Sequence, residues 1–143
     1  DGTDMSLAVS FPQHAWGKQI GSYWDSPNSR WLSARSNTSL SEETPSVAGN
    51  AGNIATLTTT NHLIRAFTYR LESGNPIIYY CATDGRIYRR DVNAVSETAV
   101  TWPSSTIYCQ GKTMSINSNL NRLEFIILQN GLYAVAEIQL GAP

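Results

Sequence analysis

Trp16, Tyr23, Trp24 and Trp31 fall in a stretch dense in Gly, Pro, Ser and Asn. Tryptophans on loops stack on sugar rings or anchor in a partner, and Asp25 and Asn28 close by would suit a carbohydrate. The same rings would equally serve to cover a sheet that lacks a helix. Tyr79, Tyr80, Tyr88 and Tyr108 share strands with Arg86, Arg89 and Arg90, a mixture that can bind single-stranded nucleic acid. The formal net charge of −1 weighs against that partner, and such ladders are ordinary cross-strand chemistry. Glu124 and Glu137 fall opposite each other in the register argued below. Paired carboxylates can serve as general acid and base or bind a cation, but Arg122 lies diagonally placed to neutralise them. His14 and His62 are the available bases, and no Gly-x-Ser-x-Gly elbow accompanies the many serines. No Cys/His spacing suits zinc. These residues nominate no catalytic group, no metal site and no cofactor, and a non-enzyme is expected.

The two cysteines, Cys81 and Cys109, each end an apolar-aromatic run, IIYYC and TIYC. A bridge between two strands of one sheet system is geometrically reasonable, and two free buried thiols are the alternative. On the chain-entropy account such a bridge stabilises by about 3–4 kcal/mol, and it would imply an oxidising compartment. Charged residues make up 15% of the 143, well under the roughly 25% usual in soluble domains, with Ser, Thr and Asn in their place. That composition is common outside the cell. No run of about 18 apolar residues is present to span a membrane.

The elements that must position these residues read as strands. Arg122 to Leu140 is the clearest, because Asn130-Gly131 favours a two-residue turn with positive φ at both positions. That turn sets Leu123, Phe125 and Ile127 opposite Ile138, Ala136 and Ala134, with Leu132 beside them, on one apolar face. Arg122, Glu124, Tyr133, Glu137 and Gln139 take the other. Leu63 to Leu71 alternates, and Ile77 to Ala82 and Arg86 to Val92 form a hairpin about Asp84-Gly85. Val100 to Trp102 and Thr106 to Cys109 read as short strands separated by Pro103, followed by a polar connection over 110–121. Ser6 to Phe11 reads as an edge strand stopped by Pro12. Residues 13–55 read mostly as loop, with Ser29 to Ser33 and a Ser41-capped helical turn as the places where structure hides. A single, mainly β domain is expected over 1–143: an antiparallel sheet or sandwich over 61–140 behind a loop-rich 1–60.

A family resemblance rests on the second half. Ile77 to Asp91 (IIYYCATDGRIYRRD) resembles the short strand, turn and G-x-[LI]-x-R strand of type IV minor pilins and type II secretion pseudopilins. Leu123-Glu-Phe125, the Asn130-Gly131 turn and Leu132 to Leu140 resemble their closing strands, where NGL opens the last one. Phe11-Pro12 with the Tyr-Tyr-Cys strand is similar to minor pilins of the mannose-sensitive haemagglutinin pilus. The resemblance spans about residues 63–140. It implies a pilin-like head and an extracellular or periplasmic subunit of a cell-surface appendage. Its partners would be other pilin subunits or a cell-surface partner, with possible adhesion to a glycan. A secreted β-sandwich carbohydrate-binding or adhesin module is the alternative. Such pilins meet the membrane through an N-terminal hydrophobic helix that is not in this sequence. The Leu123–Phe125–Ile127 face is therefore expected to need another cover, from the aromatic-rich first third or from a partner subunit.

Overall fold

β-Branched and aromatic residues carry this chain into strands along most of its length. The computed structural model describes residues 9–10, 19–35, 38–44, 46–47, 53–100 and 107–143. Within them the strands are β1 (Val9–Ser10), β2 (Gln19–Asp25), β3 (Arg30–Arg35), β4 (Ser39–Thr44), β5 (Ser46–Val47) and β6 (Asn53–Thr59). They continue as β7 (Ile64–Glu72), β8 (Asn75–Ala82), β9 (Ile87–Asp91), β10 (Ser96–Ala99), β11 (Tyr108–Asn117), β12 (Arg122–Gln129) and β13 (Leu132–Gln139). A single 3-10 turn, Ser26–Asn28, is the helical element among the described residues. The fold is mainly β, as expected.

The strands form three antiparallel sheets, ordered β2-β3-β4-β6, β10-β9-β8-β7 and β11-β12-β13, plus the short β1-β5 pair. The sheet holding β8 is central. Ile78, Tyr80 and Ala82 face Leu32, Ala34 and Leu40 of the first sheet, with Ile64 and Phe67 alongside. Ile77, Tyr79 and Cys81 face the opposite way, onto Met114, Leu123, Phe125 and Ile127 of the third sheet. Seven consecutive residues of β8 are thus buried, which is why its sequence is an unbroken apolar run rather than an alternation. β7 is bulged between Ile64 and Ala66, and the extra residue turns Ile64 to the same core as Phe67.

The expected disulfide is present: Cys81 of β8 and Cys109 of β11 are bonded across the second core, with Cα atoms 6.1 Å apart. Beside it Gly111 passes close to β7. A Cβ at Gly111 would lie 2.6 Å from the Cβ of Arg65, so only glycine allows this approach of the third sheet to the central one.

Several sequence expectations are corrected. The supposed loop over 13–55 holds strands β2 to β5 and the start of β6; Ser29 to Ser33, where hidden structure was expected, does lie almost wholly in β3. Ser41 caps no helix but sits in β4 opposite Ser33. The polar connection over 110–121 is mostly strand, since β11 runs to Asn117 and carries the buried Met114. The face of Leu123, Phe125 and Ile127 is covered by the central sheet, not by the first third or a second subunit. Of Ser6 to Phe11 only Val9–Ser10 is described, and it pairs with β5. Trp16, His14 and all but Val100 of the Val100 to Trp102 strand lie outside the described residues, whereas the end of the Thr106 to Cys109 strand is present as Tyr108 and Cys109, the first residues of β11.

Candidate interaction surface

The nominated aromatic cluster splits by strand parity. Tyr23 and Asp25 point inward from β2, while Trp24 points outward, next to Trp31 of β3 in an edge-to-face pair at 5.4 Å. Asp25 is fully buried (0% exposed) and committed on all sides. Tyr69 Oη donates to Oδ1 at 2.9 Å, and Arg30 Nε and Asn28 Nδ2 donate to Oδ2 at 2.8 Å each. Arg30 Nη1 reaches on to Glu42 at 2.9 Å. Burial, then the hydrogen bond to Asp25 and its negative charge, push the Tyr69 phenol well above its ordinary pKa. Tyr23 Oη donates to the Phe67 carbonyl at 3.1 Å. This polar node fastens the first sheet to β7. Trp24, 43% exposed, is the nominated ring most open to solvent among those described.

The arginines and tyrosines of β8 and β9 are also internal structure. Tyr79 and Tyr80 are buried, and buried Arg90, the cross-strand partner of Ile78, pairs with Glu97 at 3.3 Å. Glu72 collects Arg70 at 2.8 Å, Arg89 Nε at 2.9 Å and the Tyr79 hydroxyl. Burial raises its carboxyl pKa, but the bonds from Tyr79, Arg89 and Arg70 outweigh that and leave it lowered. His62 stacks on Tyr88 at 4.0 Å, with Nε2 3.8 Å from Asp84 and Nδ1 4.0 Å from Glu97. No set of three His, Cys, Asp or Glu among the described residues could hold a metal ion.

The closing hairpin has the expected register throughout. Leu123, Phe125 and Ile127 pair with Ile138, Ala136 and Ala134, and Glu124 faces Glu137. Asn130 and Gly131 both have positive φ, 52° and 76°, as a two-residue hairpin turn requires. Both carboxylates hold structural partners: Arg122 forms an ion pair with Glu137 at 3.0 Å, and the Asn117 amide donates to Glu124 at 3.3 Å. At its base the hairpin is tied down. Gln139 Nε2 donates to the Leu120 carbonyl at 2.9 Å, and Arg70 Nη2 to the Gly141 carbonyl at 3.0 Å.

Toward the turn it is exposed to solvent. Leu132, Tyr133 and Val135 are 73%, 64% and 68% exposed, and Leu128 is exposed beside them. The outer face is less polar than Arg122, Glu124, Tyr133, Glu137 and Gln139 alone imply. The same register also places Ile126, Leu128 and Val135 there, and that signal was available once the turn was known. β13 ends its sheet, and among the described residues no strand lies beyond it. The Leu140 amide donates to Asn121, which sets the alternation: even-numbered positions bond β12, and odd ones such as Val135 and Glu137 turn their backbone groups to the open edge. Edge strands are normally guarded by lysine, proline, a bulge or brevity. β10, one edge of the central sheet, is only four residues long; β13 is eight long, without Lys, Pro or irregular register, and Glu137 is its one charged residue.

No family model, no curated protein and no solved structure matches this chain. Among the described residues no helix is long and apolar enough to cross a membrane.

Proposed function

We propose that this chain is a non-enzymatic subunit of an extracellular or periplasmic assembly, a minor pilin or pseudopilin as its hairpin motifs resemble, that binds other protein chains. The observation that carries the reading is the unguarded apolar edge of β13, whose exposed Leu132, Tyr133 and Val135 offer both main-chain groups and side-chain contacts to an added strand. The Cys81–Cys109 bond is compatible with an oxidising compartment. A glycan-binding role draws support from exposed Trp24, but Tyr23 and Asp25 turn inward and give that ring no polar companion.

Shearing surface appendages from the native host and probing the sheared fraction tests the reading. The chain is expected in that fraction, and Val135→Lys is expected to deplete it without lowering the total amount of folded chain. A chain confined to the cytoplasm sinks the proposal. A glycan array with Trp24→Ala as control tests the adhesion part; glycan binding lost on that substitution would favour the module reading.

A further inference from the structure

We infer that the partner strand on β13 is β13 of a second copy, joined about a twofold axis through Val135. This rests on the assembly reading above and specifies its first contact. A twofold contact pairs residue i with j and j with i, so the edge must be complementary to itself read backwards. Residues on one face of a sheet pair only with the same face, and bonds form only between positions whose backbone groups face the edge. Centring the axis on Val135 meets both conditions. Val135 then exchanges two main-chain bonds with its own copy, and Glu137 falls opposite Tyr133.

The side chains agree with this register. On the outer face, Ile126 and Val135 meet Val135 and Ile126 of the copy, an uninterrupted apolar row across four strands. On the inner face, Ala134 meets Ala136, and Leu132, 73% exposed in the single chain, meets half-buried Ile138. Glu137 is the sole charged residue of β13, and Arg122 of its own chain already neutralises it. It faces a tyrosine and never its own copy, so the edge carries no charge that repels its twin and none that calls for a basic partner. Moving the axis two residues to Glu137 would set two carboxylates opposite each other. Because the contact uses up the edge, it closes: two three-stranded sheets become one of six strands, with no further growth.

The test uses the purified full chain. Sedimentation equilibrium should show a mass rising with concentration from 15.7 kDa to twice that value and stopping there. Val135→Lys, which brings two ammonium groups together on the axis, should weaken the dimer by about tenfold or more. Val135 is largely exposed in the single chain, so at concentrations where the parent is monomeric this variant should melt as the parent does. Val135→Cys should cross-link to itself under mild oxidation far faster than Ser118→Cys, an exposed turn position away from the edge. A chain that stays monomeric at millimolar concentration, a Val135→Cys rate no higher than that of Ser118→Cys, or open-ended polymers each overturn the proposal. If one of these results is found and the chain still enters the sheared fraction, only the twofold contact fails and the assembly reading stands. If it never enters, that reading fails whatever the dimer does.

Discussion

β8 and β13 are both eight residues long and both mainly apolar, yet they meet opposite fates. β8 is buried on both faces and paired on both edges. β13 is paired on one edge and largely exposed toward its turn. Apolar content therefore does not decide burial here; the number of sheets a strand is sandwiched between does. Hydrophobic residues in the first strand hold the fold together. In the second, much of the same surface remains unused by the fold, and unused apolar surface on an edge invites another chain.

Substitutions can break or sharpen this contrast. The largest effect is expected at the centre of β8. Tyr80→Ala should cost about 3–5 kcal/mol in denaturant unfolding, as removal of a buried ring does. Tyr80→Phe should leave stability unchanged or raise it, because the buried hydroxyl meets no hydrogen-bond partner among the described residues. A large loss in the Phe variant would mean that the hydroxyl, not the ring, matters. Next comes the Cys81–Cys109 bond, which joins residues 28 apart. Replacing both cysteines by alanine should cost about 3–4 kcal/mol, read as a lower urea midpoint. Gly111→Ala should follow at about 1–3 kcal/mol, since its methyl would collide with Arg65 and force β11 from β7.

A smaller effect is tied to pH. The folded pKa of Glu72 is lowered, so its contribution is complete above the ordinary carboxylate range, about 4.5, and fades as pH falls through the lowered value. The melting difference between the parent and Glu72→Gln should therefore shrink on acidification from pH 7; a difference that grows would reverse the assignment. The smallest effect belongs to β13. Val135→Ala should change the monomer's stability by no more than about 0.5 kcal/mol, as exposed positions do. A loss comparable to that in β8 would show that the edge is part of the core after all.

Legibility from sequence followed the same divide between regular and interrupted patterns. The closing hairpin could be registered residue by residue because Asn130-Gly131 fixes the turn and strict pairing does the rest. The bridge of Cys81 to Cys109 was legible because both residues end apolar-aromatic runs of sequence, IIYYC and TIYC. The first sheet was not, because its inward positions include Asp25 and Arg30 beside Leu32 and Ala34, and buried Ser33 and Ser41 interrupt the remaining pattern. A buried ion pair looks like loop chemistry until its partners are known. β11 escaped for a related reason: its register shifts between Cys109 and Met114, so the alternation never runs long enough to be seen. Of the residues nominated for ligand contact, strand parity separates Trp24 from Tyr23 and Asp25, and parity could not be assigned without first seeing a strand.

The position of the Cys81–Cys109 bond has a mechanical side. Cys109 pairs with Ile127, which pairs with Ala134, so the bond lies level with the exposed half of the hairpin. Tension applied at the β13 edge would pass as shear through the ladders to β12 and β11. From there it enters a covalent link that ends on β8, the strand most deeply held by its neighbours. Arg70, gripping the carbonyl of Gly141, restrains the opposite end. A subunit loaded along that edge would therefore transmit force to its centre rather than peel apart at its rim.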